Sequence, residues 1–106
     1  MYAQNNLGIC YRDGTGIEVD KYKAFKFFTR AAEAGHASAQ CNLGLCYAQG
    51  TGIAVNKFEA FKWYKRAADA GNTRAQHNLG RCYRDGEGIE VDQSEALKWF
   101  TPAARA

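Results

Sequence analysis

The chain repeats itself, and that limits its fold more than any other property. AQNNLGICYRDGTGIEVD begins at Ala3, AQCNLGLCYAQGTGIAVN at Ala39 and AQHNLGRCYRDGEGIEVD at Ala75, a period of 36 residues. The second halves keep the same offset: AFKFFTRAAEAG from Ala24, AFKWYKRAADAG from Ala60 and ALKWFTPAARA from Ala96. A fixed period of roughly 20–50 residues marks one supersecondary unit copied along a chain, each copy burying its neighbour's apolar face. The expected organisation is therefore a single domain, residues 1–106, of three repeats at 3–38, 39–74 and 75–106, with nothing left over for a second domain.

Each repeat reads as two helices. In the first, Ala3, Leu7, Cys10 and Tyr11 fall at i, i+4, i+7 and i+8, one helical stripe. Asp13-Gly14-Thr15-Gly16 ends it, because glycine supplies the left-handed residue of a helix stop. The second helix starts after Val19. Asp20, Asn56 and Asp92 stand where an N-cap belongs, with a side-chain oxygen free to accept an orphan backbone N–H. Asn56 and Asp92 are followed three residues on by Glu59 and Glu95, the spacing of a capping box. Ala24, Phe28, Ala31 and Ala32 make the second stripe, and Gly35 and Gly71 close it. Small residues (Ala3, Gly8, Ala24, Ala31 and their copies) recur opposite large ones (Leu7, Tyr11, Phe28), which lets two helices approach closely and interdigitate.

The pattern A-x-x-x-L-G-x-x-Y-x-x-G-x-G-[IV]-x-x-[DN], then A-x-x-[WF]-[YF]-x-x-A-A-x-x-G, resembles the Sel1-like repeat, a relative of the tetratricopeptide repeat. The resemblance covers essentially the whole chain. It implies an all-α, right-handed α-solenoid of stacked antiparallel helix pairs, with first helices lining a concave groove and second helices on the convex side. It implies an adaptor, or a regulatory region of a larger signalling protein, that binds protein or peptide segments and is not an enzyme. One departure stands out: Pro102 replaces Arg30 and Arg66. A proline deep in a helix costs about 3 kcal/mol or more, so the last helix should stop or kink near Thr101, or restart with Thr101-Pro102 as its cap. No polar capping helix flanks the repeats, which reads as an excerpt of a longer array.

Residues that suggest chemistry lose that meaning once they are set in the repeat. Cys10, Cys46 and Cys82 occupy one core column and act as small hydrophobes. Equivalent positions on stacked helices lie about 8–10 Å apart, while a disulfide needs Cα atoms within about 7 Å. Cys41 and Cys46 point roughly 140° apart around one helix. Members of the resembled family that carry a disulfide in each repeat place one cysteine on each helix, and the second helices here hold none. Free thiols suit a reducing compartment, hence an expected cytoplasmic location. Gly14-Thr15-Gly16 lacks both the third glycine and the preceding strand of a dinucleotide fingerprint. A Cys41–His77 metal site would have two ligands where zinc needs three or four. With no Ser–His–Asp order and no carboxylate pair on one face, no catalysis, cofactor or metal is expected. No apolar run reaches the length of a membrane span, and the N-terminus lacks the pattern of a signal peptide.

The net charge of +3 does not call for nucleic acid. Lys21, Lys23, Lys26, Lys57, Lys62, Lys65 and Lys98 crowd the second helices, but Glu33, Glu59, Asp69 and Glu95 are interspersed, as on a solvated face. The expected partner is a protein or peptide. Its contacts should fall on columns that vary between repeats: Asn5, Ile9 and Arg12, then Cys41, Leu45 and Gln49, then His77, Arg81 and Arg84. The middle of these columns is apolar and the third repeat basic, a pattern favouring an acidic segment. Cys41, whose copies are Asn5 and His77, is expected on the surface. Unpartnered sides at the two ends (Tyr2 and Leu7, Trp99 and Phe100) suggest end-to-end self-association.

Overall fold

The computed structural model describes residues 2–100, so the expected break at Pro102 lies outside the described residues. Six α-helices follow in order: α1 Tyr2–Asp13, α2 Lys21–Glu33, α3 Ala37–Gln49, α4 Lys57–Asp69, α5 Thr73–Asp85 and α6 Gln93–Phe100. They pack as pairs, α1 on α2, α3 on α4 and α5 on α6, and each pair meets the next through α2–α3 and α4–α5. The result is an α-solenoid, 42 × 26 × 21 Å, with no strand among the described residues.

Within each pair an aromatic ring rests on a glycine of the facing helix. A Cβ added to Gly8 would stand 2.6 Å from Phe28 Cε1, one on Gly44 2.7 Å from Tyr64 Cδ1, and one on Gly80 2.7 Å from Phe100 Cε1. These distances are far inside van der Waals contact, so a residue with any side chain would push the two helices apart. The small-facing-large pattern of the sequence is this contact.

The helix ends follow the predicted chemistry, with one change. Asp20, Asn56 and Asp92 Oδ1 accept from the N–H of Lys23, Glu59 and Glu95 at 3.0–3.1 Å. The reciprocal half of the capping box does not form. The N–H groups of Asp20, Asn56 and Asp92 donate instead to the carbonyls of Tyr11, Tyr47 and Tyr83, each at 2.8 Å. Glu59 and Glu95 are thereby released to pair with Lys62 and Lys98. A backbone bond across the loop fixes how each second helix leaves its first, which a side-chain bond at the helix start cannot do.

Successive pairs are joined by two apolar clusters that share α3. Ala24, Phe28, Ala31, Ala32, Ala39, Leu43 and Cys46 form one, and Cys41, Ala60, Tyr64, Ala67, Ala68, Ala75, Leu79 and Cys82 the other. Edge-to-face contacts repeat across both joints: Phe25 on Tyr47 at 5.6 Å and Phe61 on Tyr83 at 5.5 Å. The loop glycines complete the joints. A Cβ on Gly52 would collide with the Lys21 carbonyl, and one on Gly88 with the Lys57 carbonyl, whereas one on Gly16 would meet nothing within 4 Å.

All three loop glycines have positive φ, 76–78°, so alanine at any of them costs about 1–2 kcal/mol in backbone strain. Only Gly52 and Gly88 add a backbone collision. In dilute solution, Gly52→Ala and Gly88→Ala should lower the urea midpoint more than Gly16→Ala, by a further 1–3 kcal/mol or so. Equal losses at all three would show that these loops do not join the units.

Candidate functional site

The site residues read from the sequence divide into three groups. Asn5 and Cys41 are not surface residues. Asn5 is buried and its Oδ1 accepts from Asn42 Nδ2 at 3.0 Å. Cys41 is fully buried, with its sulfur 3.9 Å from Asn78 Nδ2 as acceptor. The reason is geometric. The face of each first helix that looked free is turned toward the next first helix along the solenoid, so its residues meet the asparagine one position on in the next unit. His77, the third member of the column, is exposed, its ring 5.4 Å from that of Phe100. Cys41 and His77 thus differ in exposure, and no group of three or more metal-ligand side chains occurs among the described residues.

Arg12 and Arg84 form a second group, spent on local contacts. Arg12 grips Asp13 with two bonds, Nε at 2.8 Å and Nη2 at 3.1 Å, and lies 5.9 Å over the Phe28 ring. Arg84 does the same with Asp85 at 2.9 and 3.1 Å, and lies 5.6 Å over Phe100. The bonds to arginine hold both aspartates below their ordinary range. Ile9 is half-buried against the first core cluster.

The third group is brought together. A cavity of about 130 Å³ opens where α3, α4 and α5 meet. Leu45, Ala48 and Gln49 line it from α3, Lys57, Ala60 and Tyr64 from α4, and Asn78, Arg81 and Cys82 from α5, with Glu87 from the loop after α5. A shallower depression lined by Leu45, Thr73, Arg74, His77 and Asn78 adjoins it, sharing Leu45 and Asn78. Leu45, Gln49 and Arg81 thus line the cavity, and His77 lines the depression beside it. Arg81 is exposed and makes no ion pair among the described residues; its Nη1 reaches Asn78 Oδ1 at 3.5 Å. Lys57 and Glu87 are joined at 2.9 Å.

Tyr64, Asn78 and the Lys57–Glu87 pair were not singled out as site residues from the sequence. For Tyr64 a signal existed. Its column holds Phe28 and Phe100, so the one hydroxyl among the three rings sits beside the one arginine in the Ile9, Leu45, Arg81 column. Burial raises its phenol well above the ordinary range. On α4 and α6, Lys62, Lys65 and Lys98 pair with Glu59, Asp69 and Glu95, whereas Lys23, Lys26 and Arg30 of α2 line a depression with Tyr11 and Phe27.

Known proteins share this repeat fold. The chain matches the Sel1 repeat three times over, at residues 2–36, 37–72 and 73–106, and belongs to that family. Sel1 repeats are in general protein-interaction modules on a typically non-catalytic scaffold. Among solved structures, a Sel1 repeat protein from Oxalobacter formigenes is similar at 38% identity and TM-score 0.86, over 93% of this chain and 41% of that one. The protective antigen c5321 of uropathogenic Escherichia coli, which displays an SLR fold, is similar at 34% identity and TM-score 0.93, over 98% of this chain and 22% of that one. This chain therefore spans less than half the length of either. No curated protein matches. No helix is long and apolar enough to cross a membrane.

All four cysteines are free thiols. Burial pushes Cys46 and Cys82 up to about 11 from an ordinary 9.0. Between those values the unfolded chain has lost these protons and the folded chain has kept them, so the unfolded state binds fewer and stability falls with rising pH. The contribution is complete below pH 9 and is lost by about pH 11, at roughly 2 kcal/mol per thiol. Urea midpoints should fall across that window, and less steeply for Cys82→Ala. A midpoint that stays level from pH 9 to 11 would contradict the burial of these thiols.

Proposed function

We propose that this chain is an interaction module that holds a peptide or protein segment in the groove along its first helices, with an acidic group of that segment at Arg81. The observation that carries the reading is the contrast among arginines. Arg12 and Arg84 are each paired with a neighbouring aspartate, while Arg81 borders a cavity and makes no ion pair among the described residues, the cavity's Glu87 being held by Lys57. Beside it lie the hydroxyl-bearing Tyr64, the amides of Gln49 and Asn78, and the apolar Leu45. An unpaired guanidinium offers a planar fork for a carboxylate, and hydrogen bonds from a charged donor are the stronger kind. Leu45 and Ala48 supply adjacent apolar surface for a side chain on the same segment. The free thiols support placing the module in a reducing compartment such as the cytoplasm, which cell fractionation checks.

The test uses peptides selected from a random-sequence display library, each synthesised with its acidic residues intact and with Glu and Asp changed to Gln and Asn. In fluorescence polarisation the acidic forms should bind more tightly. Arg81→Glu should weaken them by about tenfold to a hundredfold, the loss of one charge-assisted hydrogen-bond pair of about 1.5–3 kcal/mol. Arg84→Glu should change affinity little. Equal binding of the acidic and amide forms would remove the charge argument.

A further inference from the structure

One place that units one and three fill with an arginine is left open in unit two. In unit one the Arg12 guanidinium lies 5.9 Å over the Phe28 ring and pairs with Asp13. In unit three Arg84 lies 5.6 Å over the Phe100 ring and pairs with Asp85. The same two positions of unit two carry Ala48 and Gln49, and the ring is that of Tyr64. No cation covers that ring among the described residues, and the cavity of about 130 Å³ is lined by all three of these residues. Its walls come from α3, α4 and α5, at the joint of units two and three.

The ring that lacks an arginine carries a hydroxyl. Tyr64 is 4% exposed, and its Oη makes no hydrogen bond among the described residues. Burial keeps the phenol protonated beyond its ordinary range, and the charged groups within its reach are Arg81 and Glu87, both at the cavity. Lys57 holds Glu87 at 2.9 Å. Arg81, which makes no ion pair among the described residues, is then the cavity's free charge. A protonated hydroxyl and a guanidinium at one small space are donors without an acceptor, and a buried donor left unanswered is costly. An ionised carboxylate accepts only. The volume corresponds to about four waters at about 30 Å³ each, which matches a carboxylate and the carbon that bears it.

Resting on the peptide-binding reading above, we infer that the acidic group at Arg81 enters this cavity as an aspartate or glutamate side chain, with the Tyr64 hydroxyl as its second donor. The ligand then brings to unit two the carboxylate that Asp13 and Asp85 provide in the other units.

The selected peptides, amidated at the C-terminus and in both acidic and amide side-chain forms, are measured by fluorescence polarisation against two variants. Each variant borrows residues that units one and three already carry, so circular dichroism should show both folded. Tyr64→Phe removes only the hydroxyl. It should weaken the acidic forms about tenfold and the amide forms less, as for a hydrogen bond to a charged group. Ala48→Arg combined with Gln49→Asp writes the arginine–aspartate pair into unit two with no change in net charge. It fills the cavity and should abolish binding of the acidic forms. A carboxylate that stays at the rim would bind both variants as tightly as the wild type while Arg81→Glu still weakens it. That result overturns the inference and leaves the interaction module standing. Loss of binding on amidating the C-terminus does the same, because the terminal carboxylate is then the occupant. A library that yields no binder, or equal binding of acidic and amide forms, overturns both readings.

Discussion

A ring seated on a glycine sets the scale of the molecule. Phe28 on Gly8, Tyr64 on Gly44 and Phe100 on Gly80 draw each first helix close to its second. Nearly all of the buried apolar side chains lie in the two clusters that join one pair to the next. Burial of about 25 cal/mol per Å² of apolar surface then rewards stacking rather than the isolated pair. The central helix α3 shows the result: it buries residues on both sides, Cys41 into one cluster and Cys46 into the other.

The fold was legible because repetition multiplies weak signals. One Leu-Gly-x-x-Tyr run decides little, but three at a fixed spacing require one backbone to satisfy all of them. The helix caps at Asp20, Asn56 and Asp92 were readable for the same reason, since cap chemistry is local. The bond from each cap N–H to a tyrosine carbonyl was not, because a carbonyl nine residues back has no side-chain signature.

The site was legible only in part. Leu45, Gln49 and Arg81 line one cavity and His77 the depression beside it. Asn5 and Cys41 failed because variation between repeats was read as exposure. Each member of that column meets an asparagine of the following unit, and an amide can bond another amide or a thiol, so the column can vary while buried. Arg12 and Arg84 misled for a different reason: their charge is answered by the residue immediately following, a pairing that helical-face counting assigns to a different face.

That buried column has a consequence for the order of the units. Asn42 is 2% exposed, and its Oδ1 has no hydrogen-bond partner among the described residues. Its amide N–H₂ is answered by Asn5 alone in the preceding unit. Put an alkyl side chain at position 5, and the cost of an unanswered buried amide, about 1–3 kcal/mol, falls on that joint and no other. Asn78 faces a thiol instead, a weaker acceptor. The two joints thus have different tolerances for the same neighbour. Alike in backbone, the units thus differ in the side chain that each offers to the asparagine of the next.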